Sequence, residues 1–516
     1  MQKSIYGVAV GSTMLGLFAA AALWVAGCGG GTGGAGAAPV PPGGGGGGEV
    51  DPSVEAWEAL FPPGQVGAAT VPNDIVTCNT EGCHSGAKHT TKAFADSAHG
   101  KSGEVGCQSC HGPGGNHVQA PADQKANTIL SWPVATNVDA DGNVKLGILD
   151  PIVCGKCHTQ SAGAGLDQYD GWAVSKHAQV LIEGGSCENC HLDTSRLIKY
   201  EEGMDFNEGV DPKVITKHTA SCLVCHKAHG GSDQPHQVRH KLSQSGTTDG
   251  EGGDIGPGTT VDQYTAFNHV CAECHNGRGV DASDAKLQSS TSRAGMHHSN
   301  QFNMLIGEGG VDDTSTPGLP APLKRQTAHA SIAEQCVHCH MSDGNHTMTA
   351  ANQGCSPCHS SGDAATLKQA NGRSAIQNEI IEKTEELTRA LETWGETNPI
   401  DGKGKLSYEY SSYGGPSSAN QAKIPVEIKR ARHNLHYVEE DRSWGVHNIA
   451  YTRYLLEIGM QQVASAPAAS LSIGTAKSAS ASKKPAGATA ASSSSAAGKG
   501  KWADGLKKKL PKALRK

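Results

Sequence analysis

The sequence predicts a mainly α protein with little regular structure: a polypeptide wrapped around a chain of flat apolar groups and closed by long C-terminal helices. Three observations predict it. A chain of 516 residues with 37% hydrophobic and 4% aromatic residues and 67 glycines holds too little apolar side chain for the two to four cored domains its length would ordinarily form. The pattern Cys-x-x-Cys-His recurs about every forty residues between Cys78 and His359. After residue 373, apolar residues switch to helical spacing.

The repeat occurs at Cys107, Cys110 and His111; Cys154, Cys157 and His158; Cys187, Cys190 and His191; Cys222, Cys225 and His226; Cys271, Cys274 and His275; Cys336, Cys339 and His340; and Cys355, Cys358 and His359. An eighth variant, Cys78, Cys83 and His84, has four residues between its cysteines. This is the attachment pattern of c-type haem: two thiols bond the porphyrin, and the adjacent histidine becomes the proximal iron ligand. Zinc half-sites, thioredoxin pairs and disulfides do not require a histidine after the second cysteine, yet it follows all eight times. Sixteen of 17 cysteines are absorbed, leaving Cys28. The expectation is eight covalent haems, whose macrocycles form the core that the side chains cannot. The longer first motif resembles a spacing found in some haems of the cytochrome c3 family.

Residues 1–27 read as an export signal, with Lys3 ahead of an apolar run from about Val8 to Ala26. Val25-Ala26-Gly27-Cys28 resembles the lipobox of bacterial lipoproteins, which implies cleavage before Cys28 and its lipidation. Gly29 in the next position implies sorting to the outer membrane, on its periplasmic or cell-surface face. Residues 28–50 carry this cysteine and a Gly- and Pro-rich tether with an r.m.s. span on the order of 25 Å. The haem region is expected over 51–373, with Gly-rich surface loops at 244–260 and 306–320. The net charge of −7 argues against nucleic acid as a partner.

Eight of the 25 histidines are proximal, and 17 remain. An iron that only carries electrons needs a second strong axial ligand. His99, His177 and His329 precede a motif by seven to ten residues; His117, His229 and His346 follow one closely; His298, beside His297, lies in a long inter-motif segment; His447 lies far downstream. These eight are the distal-ligand candidates. His89, His218, His236, His240, His269, His338, His433 and His436 are held in reserve.

Residues 374–463 form a helical region. Ile376, Ile380, Leu387, Leu391 and Trp394 recur at 4, 7, 4 and 3; Ile428, Ala431, Leu435 and Val438 at 3, 4 and 3; Ile449, Leu455, Leu456 and Ile458 continue in a further run. Residues 464–516, rich in Ala, Ser, Gly and Lys, are expected to be a disordered tail. Its basic end, with Trp502, Leu506, Leu510 and Leu514, suits a short amphipathic helix on an anionic surface.

The haem-rich part followed by helices bearing Arg432-His433-Asn434-Leu435 and Arg442-Ser443-Trp444-Gly445-Val446-His447-Asn448 resembles the superfamily of ammonia-forming nitrite reductase and octahaem hydroxylamine oxidoreductase. Ser97-Ala98-His99-Gly100 and the segment Cys107–Gly114 are similar to a stretch common in it. The resemblance covers roughly residues 78–460 and implies that His447 ligates a haem held elsewhere in the chain. All eight motifs end in His, so the lysine-ligated catalytic haem of those nitrite reductases has no counterpart here. The expected function is electron transfer between redox proteins or to external acceptors, with a homo-oligomer or filament as a variant, and without an enzyme's substrate site. The rivals are an oxidoreductase of nitrogen or sulfur compounds with one open haem, and a zinc-rich structural protein.

Overall fold

The computed structural model describes residues 54–72, 78–79, 84, 91–163, 165–180, 187–197, 218–230, 235–243, 269–277, 281–294, 297–311, 327–356, 358–359 and 373–469. The export signal, Cys28, the tether, Cys83, His89, the loop 244–260 and the chain beyond residue 469 lie outside the described residues.

Among those residues there are no β-strands, only isolated bridges such as His226–Val238 and Lys241–His269. Before residue 373 the helices are one or two turns long. Several lie on the motifs themselves: Cys107–His111, Glu188–His191, Cys222–Cys225 and Gln335–His340. One turn puts residues i and i+3 on the same face, which aligns the paired thiols. Helices this short are not stable alone, so packing or bound groups must hold them. Side-chain packing is sparse here. It consists of small clusters, such as Trp57, Phe61, Leu130, Tyr169 and Trp172, or Ala272, Phe302, Leu305 and Ile306.

The regular structure is C-terminal. The first long helix, Ala375–Thr397, starts at a capping box in which Ser374 Oγ accepts from Gln377 N and the Gln377 side chain accepts from Ser374 N. The second, Val426–Asp441, starts after Pro425 and ends at Arg442, which has φ +61°. The third, Ile449–Ser465, is capped by Asn448, whose side chain accepts from Tyr451 N. Ile380, Leu387, Leu391, Ile428, Leu435, Leu455 and Leu456 form one buried core, as the helical spacing predicts. Ile376 departs from the stripe and is 37% exposed, because it lies in the first turn at the rim of the bundle. Gly459 allows the close crossing of the first and third helices: a Cβ there would stand 2.6 Å from Leu387 Cδ2.

The helices are not a separate unit. Asn434 Oδ1 accepts from Val311 N (2.7 Å), its amide donates to Leu455 O (3.0 Å), and Asn300 Nδ2 donates to Tyr437 O (2.9 Å). Two expectations are corrected. Within the stretch read as a surface loop at 306–320, residues 306–311 are buried, and a Cβ on Gly310 would fall 2.3 Å from Leu455 Cδ2. Gly310 serves close packing, while Gly307 and Gly309 adopt φ +78° and +92°. The tail does not begin at 464: the third helix runs to Ser465, Trp394 Nε1 donates to Pro467 O (3.2 Å), and Ala469 N donates to Asn398 Oδ1 (2.9 Å).

Beneath the second helix, His436 Nε2 donates to Glu409 Oε1 (2.9 Å) and its Nδ1 donates to Glu439 Oε2 (3.1 Å). Burial opposes the imidazolium, but Glu409 overrides it and holds His436 well above the ordinary histidine range. Glu409, though burial works to raise it, is held below the usual carboxylate range by His436. The histidine contributes stability fully below pH about 6.5 and loses it as pH rises through its folded value; the glutamate contributes above about 4.5 and loses it as pH falls. His436→Gln should therefore lower the melting temperature most between pH about 4.5 and 6.5, with the difference narrowing at alkaline pH. Thermal unfolding of the holoprotein across pH reads this; an equal loss at every pH contradicts it.

Candidate haem attachment and ligation sites

The motif at Cys107–His111 is held from several sides. Gln65 Nε2 donates to His111 O (2.7 Å) and Pro113 O (3.2 Å), and Trp57 Nε1 donates to Cys110 O (3.1 Å). Gln108 pairs with both backbone groups of Val71 (2.6 and 3.1 Å). Gly112, directly after the histidine, has φ +74°, and a Cβ there would meet Gln65 Nε2 at 2.5 Å. The backbone leaves the motif in a conformation and a space that only glycine fits.

Seven motif histidines each face a second histidine at nearly the same ring separation. The pairs are His84–His117 (6.1 Å), His158–His99 (6.0 Å), His111–His229 (6.0 Å), His275–His177 (5.9 Å), His226–His346 (6.2 Å), His359–His329 (6.1 Å) and His340–His447 (6.4 Å). The angle between ring planes runs from 19° to 87°. Rings packed directly on each other couple distance to angle, stacked pairs lying closer than edge-on ones; His297 and His298, in direct contact, are 4.1 Å apart. Rings that share only an axis through a metal keep the distance and turn freely about it. Two metal–nitrogen bonds of about 2 Å, plus about 1 Å from each nitrogen to its ring centre, give about 6 Å. The donor set and spacing thus fit an iron between each pair.

The remaining ring nitrogens fit as well. Nδ1 donates to a backbone carbonyl in His111 (Leu130 O, 2.7 Å), His117 (Lys125 O, 3.1 Å), His226 (His236 O, 2.9 Å), His329 (Val446 O, 2.7 Å), His340 (Met348 O, 3.1 Å) and His346 (Gly344 O, 2.7 Å). In His158 and His275 it meets the side-chain oxygens of Gln168 and Gln301, and in His447 the carboxylate of Asp441 at 2.6 Å. His177 Nδ1 meets Met348 Sδ. Fixing Nδ1–H leaves Nε2 as the nitrogen for metal. Burial pushes His111, His177 and His226 down to about 4 and lowers His99, His117, His275, His340 and His346. These are neutral imidazoles at pH 7, the metal-binding form.

The attachment sites adjoin one another out of chain order. His84 lies near His111; Cys110 lies beside Cys154 and Cys157, where Lys156 Nζ donates to Ser109 O and covers the Trp57 ring. Cys154 touches Cys222. Cys225 lies near Cys271 and Cys274. Cys274 touches Cys190, and the buried Arg196–Glu273 pair (2.8 Å) ties the same two segments. Cys271 touches Cys336, and Cys339 lies beside Cys355 and Cys358. The motifs thus run first, second, third, fifth, sixth, seventh and eighth, with the fourth beside the sixth.

Of the eight distal candidates, seven stand in these pairs. The eighth, His298, packs at a tilt against His297, next to Ser299, whose hydroxyl donates to Cys274 O (3.1 Å). Three of the described reserve histidines have other partners: His218 lies 3.6 Å from Asp150, His240 3.8 Å from Glu273, and His433 Nε2 donates to Gly309 O (2.9 Å). Sequence spacing does not reveal which motif a distal histidine serves. His99 lies just before the second motif and faces the third; His229 lies just after the fifth and faces the second. Gln65, Met348 and Asp441 also carry no signal in the sequence.

No protein-family model matches the chain. An alignment 316 positions long, covering 54% of this chain, is 23% identical to the C-type polyheme cytochrome OmcB of Geobacter sulfurreducens. The match covers 37% of that relative's length. Among solved structures, an undecaheme cytochrome from the S-layer of Carboxydothermus ferrireducens aligns over 70% of this chain and 50% of its own (20% identity, TM-score 0.43). The outer cell wall cytochrome OcwA aligns over 70% of both (18%, 0.38), and the cytochrome c nitrite reductase of Desulfovibrio desulfuricans over 54% and 64% (15%, 0.30). The motifs and the sequence match make the chain a multihaem c-type cytochrome, and it carries covalent haem c.

Glu273 is 5% exposed and Arg196 3%. Truncating one partner of a buried ion pair strands the other charge, at a cost of roughly 3–5 kcal/mol. Glu273→Ala should lower the unfolding free energy of the holoprotein by that order in denaturant titration, while Lys405→Ala, which breaks an exposed pair with Glu392, should change it by less than about 1 kcal/mol.

Proposed function

We propose that the chain is an electron-transfer conduit of eight haems with two histidine ligands on each iron. The observation that carries the reading is the common ring separation of 5.9–6.4 Å at unrelated ring angles. The haem supplies one-electron chemistry when bound. The chain's own residues hold each iron from both faces, so no coordination position is left to a substrate. They fix Nδ1–H on a backbone carbonyl at six of these histidines, hold His111, His177 and His226 neutral by burial, and press the cysteines of adjoining motifs together. On this reading His298 is the second ligand at His191. The support is neighbourhood: Ser299 reaches Cys274, which touches Cys190. Cys83, with Cys78 and His84, completes the first site.

The rest of the proposal comes from sequence. Export, cleavage before Cys28 and lipidation would place the body at the outer membrane, on a tether, with redox proteins or external acceptors as partners. Covalent haem attachment outside the cytoplasm agrees with that route. Subunit assembly into a homo-oligomer or filament belongs to the same proposal.

Electron paramagnetic resonance on oxidised protein, with haem quantified alongside, tests the reading. The expected result is eight haems per chain, all low-spin, and no perturbation by nitrite, hydroxylamine or cyanide. His229→Ala should convert one of the eight irons to high-spin. A stoichiometric high-spin signal in the unaltered protein that shifts with a small ligand would contradict the conduit and favour an enzyme with an open haem.

A further inference from the structure

The histidine pairs differ in what their second ring nitrogen meets. In the contacts described above it meets a carbonyl, an amide oxygen or a thioether, except at His447. There it meets Asp441 Oδ1 at 2.6 Å, and the Asp441 side chain is 1% exposed. Asp441 Oδ2 accepts from Ser443 Oγ and from Ser443 N (3.3 Å), and Ser443 Oγ also accepts from His447 N (3.2 Å). The carboxylate is therefore held in place by a short loop that begins at Arg442, in the left-handed region. His340, across the pair, donates only to the Met348 carbonyl.

A carboxylate accepting Nδ1–H draws the proton toward itself and makes Nε2 a stronger electron donor to the metal. It also sets a fixed negative charge one ring away from the iron, in a dry setting where charge acts strongly. Both effects favour the ferric over the ferrous state. We propose that Asp441 is a positioning residue that lowers the reduction potential of the haem held by Cys336, Cys339, His340 and His447. The inference rests on the two-histidine reading given under Proposed function. The half-reaction is ferric to ferrous with one electron added. This attachment site lies between those at Cys271–His275 and Cys355–His359, so its potential sets the terminal site apart from the other six.

The test is a spectroelectrochemical titration of full-length holoprotein, with haem content and electron paramagnetic resonance measured on each variant. His447→Met marks the step belonging to this haem, since a methionine ligand raises the potential. Asp441→Asn should move that same step positive by at least tenfold in the reduction equilibrium, about 59 mV for one electron, with the other steps in place. Ser443→Ala keeps the carboxylate, removes its competing hydroxyl donor, and should move the step negative. An Asp441→Asn protein with all haems bound and low-spin, but an unchanged or uniformly shifted titration, overturns the inference. If Asp441→Asn fails to retain haem, Ser443→Ala decides: a negative shift supports the proposal and no shift overturns it. A His447→Met protein whose titration and low-spin signals match the unaltered chain would instead overturn the ligation reading beneath it.

Discussion

The ring-to-ring gap between paired histidines is the constraint on which the rest depends. Each gap of about 6 Å joins two stretches of chain that have few other reasons to meet: His111 to His229, His226 to His346, His340 to His447. A bond across such a gap works as a cross-link. It removes loop entropy from the unfolded chain, and the gain grows slowly with the length enclosed. Because the pairs are crossed rather than local, the loops interlock. On the proposed ligation, that is how helices of four or five residues persist where, among the described residues, apolar packing is confined to small patches.

The C-terminal helices solve a different problem by different means. They have an ordinary apolar core, a capping box and close helix crossings. Their polar residues tie them to the haem region through Asn434, Asn300 and Tyr451. One of them ends where Asp441, Ser443 and His447 are brought together. A rigid bundle thereby brings His447 to face the motif histidine His340 in the wrapped region, which is a firmer support than a loop within that region would provide.

Much of this was legible in the sequence, and the limits have physical causes. The attachment sites are local patterns, so Cys107, Cys110 and His111 declare themselves within five residues. The helices showed in the periodicity of Ile380, Leu387 and Leu391. Seven of the histidines that face a motif histidine could be picked because unusual histidine numbers need a reason. Their pairing could not, since it depends on how distant segments cross: His177 stands ten residues before one motif and faces another. The stretch 306–311 looked like a loop because glycine marks both turns and tight packing, and only the position of Leu455 tells them apart. Residues 464–469 looked like tail because Ala, Ser and Pro carry no apolar stripe, although their backbone is bound to Trp394 and Asn398.

The central claim is that each iron is gripped by its motif histidine and by a histidine from a distant segment. A crystal structure of the haem-loaded protein, with iron positions fixed by anomalous scattering, tests it most directly. The account predicts Nε2 of His229 on the iron of His111, Nε2 of His346 on that of His226, and Nε2 of His447 on that of His340. Irons ligated by the nearest histidine in sequence, or an iron lacking a protein ligand on its second face, would contradict it.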